Sequence, residues 1–257
     1  GGSNPSPSAI LPTLMKRIDM HVHMVGITRG GHGCWLRIAP SKFLLYNYML
    51  RQIGLSPRSF YRSGFDDLYS EELLRYTRES TLDAVALLAH EQVYDDDGQL
   101  MEGWGNAYVP NDYVLELARQ HPEFLPAVSI HPAKPDALEE LNHCLAAGAV
   151  MMKCLPNCQN INCNNRRFTR FWERMAEARL PLLAHTGGEH PLQVVRPEYA
   201  DPRTMTLPLE CGVTVIAAHA ATSSGFSDPN YFPALLELFK RFPNLYADNS
   251  ALNLPLR

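Results

Sequence analysis

The sequence lacks the basic excess that a nucleic-acid surface requires. Its 23 Lys and Arg stand against 27 Asp and Glu, a formal net charge of −4 over 257 residues. It also lacks any apolar run approaching the roughly 18 residues of a membrane span. The segment 1–12 is rich in Gly, Ser, Asn and Pro, with neither the charged start nor the apolar stretch of a secretion signal, and Gly1-Gly2 reads as a tag remnant. A disulfide framework is missing too. Six cysteines without a secretion signal read as reduced thiols, which makes a cytoplasmic location the expectation. Cys154, Cys158 and Cys163 are spaced by three and four residues with no second pair, whereas a structural zinc site wants four ligands. They read as a buried Cys154 with two loop thiols. Asp95-Asp96-Asp97-Gly98 lacks the alternation of a calcium loop and reads as an exposed turn.

What is present is a chain 46% hydrophobic, ample for a packed core and of a length that fits one large domain, taken as 1–257. Its most informative stretch is Ile18-Asp19-Met20-His21-Val22-His23. Alternate residues of a strand share a face, so two imidazoles would converge on one point, half of a transition-metal site.

Apolar runs recur at 17–25, 82–90, 124–131, 149–155, 181–186, 213–220 and 245–250. Amphipathic helical patterns lie between them at 70–79, 112–120, 135–147, 168–178 and 232–242, and Gly148 stops the third of these. Asp228 reads as a helix N-cap. Nearly all-apolar strands alternating with helices argue for a parallel sheet covered on both faces. At this length the pattern predicts a (β/α)₈ barrel of the TIM type. Two connections are long, 26–69 after strand one and 92–110 after strand two. Both sit at the C-terminal face of a barrel, where active-site lids belong, and the first is such a lid or a helical packing segment through which copies form a homo-oligomer.

Histidines end five of the seven runs: His21 and His23, His90, His131, His185 and His219, while strand four carries Lys153 and strand seven Asp248. Catalytic residues of such barrels come from these strand ends. The ordered motifs IDMHVH, MMKCLPN, LLAHTGG and VIAAHA resemble the amidohydrolase superfamily, in its "amidohydrolase 2" branch of metal-dependent hydrolases, over roughly 18–253. The resemblance implies that His21, His23 and His185 bind a divalent metal, most often zinc, as one ion or two. By the same resemblance His219 is a second-metal ligand or a catalytic imidazole. Lys153 is a carboxylated bridging ligand or a group that binds a substrate carboxylate. His90 and His131 are rim residues within reach of a substrate. Arg166, Arg167 and Arg170 offer a guanidinium for an anionic substrate group, or form a solvated helix face.

The family places an aspartate at the end of strand eight, in a Gly-Ser/Thr-Asp-x-Pro setting that this sequence does not contain. Asp248 sits on strand seven, the wrong strand for it. Strand eight therefore reads as missing from the given chain, and the functional protein is expected to extend beyond Arg257. The expected activity is hydrolysis of an amide, ester or lactone of a small molecule by metal-activated water. A decarboxylase on the same scaffold and a catalytically inactive binding barrel stay open beside it.

Overall fold

The computed structural model describes residues 16–225 and 228–252. Its strands are β1 (Ile18–His23), β2 (Trp35–Leu36), β3 (Ala84–Leu88), β4 (Ala107–Tyr108), β5 (Phe124–Val128), β6 (Met151–Cys154), β7 (Leu182–His185), β8 (Val215–Ala218) and β9 (Leu245–Ala247). Its helices are α1 (Phe43–Gln52), α2 (Phe65–Glu79), α3 (Asn111–Gln120), α4 (Ala137–Ala146), α5 (Pro156–Gln159), α6 (Thr169–Glu177), α7 (Thr206–Glu210) and α8 (Phe232–Arg241).

Seven strands form one parallel sheet in the order β1-β3-β5-β6-β7-β8-β9, so each pairs with the next in the chain. Every apolar run of the sequence supplies one of them. Four strands, AVALL, MMKC, LLAH and VIAA, are buried along their whole length. This is the burial expected of strands covered on both faces. The sheet curls on itself with helices outside, a TIM-type barrel in which no ladder joins β9 to β1 among the described residues.

Alternation divides the apolar side chains into two sets. Ala86 and Leu88 of β3, Ala127 of β5, Met151 of β6, Leu183 of β7, and Ile216 and Ala218 of β8 pack together inside the curl. Their neighbours Val128, Met152, Cys154, Leu182, Ala184, Val215 and Ala217 face outward into the helix layer, against Trp172, Met175, Leu141 and Leu235. The inner set is the floor of the site.

The two long connections meet each other. β2, from the segment after β1, pairs antiparallel with β4, from the segment after β3. α2 begins at Phe65, earlier than the 70–79 pattern, because Phe65 is fully buried and Asp66 and Asp67 favour its first turn. Asp66 reaches back to accept the Ile27 N–H at 2.7 Å, tying the chain after β1 to this helix.

Two local expectations are corrected. Asp228 does not cap α8, which starts at Phe232 after Tyr231; it lies 3.1 Å from His190 and accepts the Ser224 N–H. Cys163 is a loop thiol as expected, but Cys158 lies within α5; both are buried, and all six cysteines are free. Among the described residues no helix is long and apolar enough to cross a membrane.

Candidate active site

Strand alternation delivers the first side chains. Inward Met151 is followed two residues on by Lys153, and inward Leu183 by His185, so both stand one layer above the apolar floor, and both are buried. His21 and His23 close β1 with ring centroids 5.1 Å apart.

His219 arrives by another route. Beyond β8 the residues His219, Ala220 and Ala221 carry φ of 62°, 49° and 54°. Non-glycine residues in this region cost on the order of 1–3 kcal/mol each and persist where their surroundings hold them. The turn carries the His219 ring to 5.1 Å from His21 and 5.0 Å from His185.

Asp248 holds that turn in place. It lies one residue past β9, yet the curl brings it across to β1. Its Oδ2 accepts from His21 Nδ1 at 2.7 Å. Its Oδ1 accepts the His219 N–H at 2.7 Å, the Ser250 N–H at 3.1 Å and the Ser250 hydroxyl at 2.6 Å. Oδ1 thus takes three of the chain's own donors and Oδ2 takes one, which leaves acceptor capacity on Oδ2. Ser250 Oγ also lies 3.0 Å from His21 Nδ1 and 2.8 Å from His219 Nδ1. With its Nδ1 hydrogen committed to Asp248, His21 turns its Nε2 lone pair toward Lys153 Nζ, 3.2 Å away.

The electrostatics favour uncharged bases. Burial, then the Lys153 charge, lowers the His21 pKa against the opposing pull of Asp248. His23 is pushed well below the usual imidazole value by burial and then by His21, Lys153, His90 and His219. Burial brings Lys153 down to about 8. Burial works against ionisation of Asp248, but the bonds from His21, Ser250 and His219 outweigh it and hold the carboxyl below its ordinary range.

This donor set fits a divalent cation. Neutral imidazole is the metal-binding form, and His21, His219 and Asp248 offer ligand atoms that all lie within 4.8 Å of one another. Asp248 Oδ2 can serve as the third ligand of that group or, through its bond to His21 Nδ1, stand behind the ring as an orienting carboxylate. Lys153 sets a condition: its ammonium would compete with a cation for His21 Nε2, so beside a bound cation Lys153 is neutral, modified or drawn away to a substrate anion.

Of the remaining sequence-derived candidates, His90 borders the site, near enough for its charge to act on His23, while His131 and Arg167 are engaged elsewhere. His90 is buried just past β3, and burial together with the Lys153 charge lowers its pKa to about 4. His131 has both ring nitrogens engaged by backbone: Nε2 donates to the Gln159 carbonyl at 2.9 Å, and Nδ1 accepts the Ala133 N–H at 3.2 Å. Arg166, Arg167 and Arg170 are exposed where α6 begins, and Arg167 faces Asp97. Sequence reasoning passed over Ser250 and Glu189, whose side chain lies 3.7 Å from His185 Nδ1. A carboxylate four residues past a strand-end histidine was the available signal for Glu189.

The family description "Amidohydrolase" matches residues 18–253. An uncharacterized TIM-barrel protein from Bordetella bronchiseptica superposes with a TM-score of 0.65 at 17% identity, covering 94% of this chain and 78% of its own. A probable 2-pyrone-4,6-dicarboxylic acid hydrolase from Acinetobacter baumannii gives 0.54 at 14% identity, covering 92% and 71%. A protein titled amidohydrolase II gives 0.51 at 15%, covering 94% and 81%. Among curated proteins none matches the chain. These structural likenesses speak for the barrel alone, but the family match runs from the first residue of β1 to beyond β9, and on it the chain belongs to the amidohydrolase family.

Proposed function

We propose that this amidohydrolase is a metal-dependent hydrolase that cleaves an amide, ester or lactone bond of a small molecule. The observation that carries the reading is the gathering of His21, His23, His185 and His219 at one end of the sheet, two of them shifted toward the neutral form. His21, His23 and His185 would hold the ion on the family resemblance, while the ligand atoms gathered within 4.8 Å are those of His21, His219 and Asp248, which makes His219 and Asp248 the alternative ligands. Zinc is the choice of an imidazole-rich set. A bound divalent ion supplies Lewis acidity, lowering the pKa of a coordinated water from about 15.7 to about 7.

The chain's own groups do the rest. Asp248 fixes the His21 tautomer through Nδ1 and leaves Nε2 as the donor. His219, held by the Asp248 contact to its N–H and by Ser250, faces the same space and serves to polarise the carbonyl oxygen or pass a proton. Lys153 has two roles open to it: as a neutral amine it is competent for carboxylation and a bridging role, and as an ammonium it pairs with a substrate carboxylate.

The test pairs metal analysis of the purified protein with assays on small lactones, cyclic amides and esters, with and without a carboxylate. Zinc-dependent ring or chain opening is expected. Release of carbon dioxide without bond hydrolysis would replace the reading with a decarboxylase. A protein that holds no metal and turns over none of these substrates would make it a binding barrel.

A further inference from the structure

The segment after β7 carries a device that the family pattern does not explain. Gly187 and Gly188 press it onto the segment after β8. A Cβ on Gly187, whose φ is 80°, would stand 2.1 Å from the Thr222 carbonyl oxygen, and one on Gly188 would meet Asp228 at 2.1 Å. From the other side the long connections grip it. Lys42, at the start of α1, donates from Nζ to the carbonyls of His190, Pro191 at 3.3 Å and Leu192 at 3.1 Å. Tyr46 OH donates to the Pro191 carbonyl at 3.1 Å, and Asn106 Oδ1 accepts the Gln193 N–H at 2.9 Å.

Between these grips sits Glu189. Its side chain is only 9% exposed. Its Oε1 accepts the Leu192 N–H at 2.8 Å, and its Oε2 lies 3.7 Å from His185 Nδ1. A buried carboxylate so placed favours the tautomer with hydrogen on Nδ1 and the lone pair on Nε2, the form that binds metal. Asp248 stands closer to His21, in a 2.7 Å hydrogen bond, whereas Glu189 acts on His185 through its charge at 3.7 Å.

We propose that Glu189 is a positioning residue that sets the ring and tautomer of His185, and that the segment 26–69 is the clasp that holds Glu189 there. The 26–69 connection thus bears on the segment that carries Glu189. The inference rests on His185 being a metal ligand.

The experiment uses the full chain labelled with ¹⁵N-histidine, metal-free, with the His185 signals assigned by their loss in His185→Asn. Long-range proton–nitrogen spectra read the tautomer, and ZnCl₂ titration reads affinity. Glu189→Gln keeps the side-chain length and an acceptor for Leu192 N–H but removes the charge, so a merely structural role would leave it silent. The expected result is a His185 signal shifted toward mixed tautomers in Glu189→Gln and in Lys42→Ala, with zinc affinity falling roughly tenfold to a hundredfold. Arg51→Ala, on the exposed side of α1, stays at wild type. Should Lys42→Ala unfold, Tyr46→Phe removes one grip in its place and shifts the signal in the same direction. Unchanged spectra and affinity in Glu189→Gln overturn the proposal. A shift in Glu189→Gln with none in the clasp variants overturns the role of 26–69. A wild type that takes up no zinc defeats the metal reading, while the metal-free spectrum still decides the role of Glu189.

Discussion

At the residue scale, the site depends on hydrogen atoms being in particular places, and Asp248 places several. Asp248→Asn puts an amide where a carboxylate accepts from His21 and from His219 N–H. Metal affinity is expected to fall roughly tenfold to a hundredfold, as when the partner of a metal-binding imidazole is lost; zinc titration checks it. His219→Asn should lower kcat by roughly 10²–10⁴, the worth of a positioned acid–base group, and an unchanged rate would remove His219 from the chemistry. His131 makes a prediction about stability. Burial lowers its pKa from 6.5 to about 4, so below 6.5 the unfolded chain binds the proton that the folded chain refuses. Its contribution is complete above 6.5 and is lost as pH falls toward 4. Urea unfolding near pH 5 should give a stability about 2 kcal/mol below that at pH 7.5 on account of His131, on a scale of about 1.36 kcal/mol per unit. His131→Gln should flatten the slope, and an equal slope in both proteins would contradict the assignment.

At the element scale, the parallel strands were legible because burial on both faces leaves them as continuous apolar runs, and all seven runs became strands in chain order. The two-residue strands β2 and β4 were not, since nothing in Trp35-Leu36 or Ala107-Tyr108 alone marks a pairing between distant connections. Asp228 misled because an aspartate ahead of a helix is an ordinary cap, while here Gly188 lets it pack against the neighbouring segment. In the site, alternation announced His21 and His23, and the ends of the apolar runs announced Lys153 and His185. Asp248 was assigned to strand seven and set aside because its contact with His21 comes from the curl of the whole sheet, which no local pattern encodes. α6 shows what the helix layer contributes. Phe171, Trp172 and Met175 face inward, and Trp172 Nε1 donates to the Cys163 carbonyl at 3.2 Å. Trp172→Ala should cost about 3–5 kcal/mol, the range for deleting a large buried aromatic. Thermal unfolding within a degree of wild type would argue against this packing.

At the scale of the whole molecule, one direction organises everything. Parallel strands present all their C-terminal ends on one side, and the histidines, Lys153 and Asp248 collect there above the apolar floor of Ala86, Leu183 and Ile216. The long connections emerge on that same side and pair with each other through β2 and β4. The central claim is that this convergence holds a metal, and metal stoichiometry of wild type against the His21→Ala/His23→Ala double variant tests it most directly. The account predicts one or two divalent ions per wild-type chain and close to none in a folded double variant. Full stoichiometry in the double variant, or a wild type that binds no divalent ion, would contradict it.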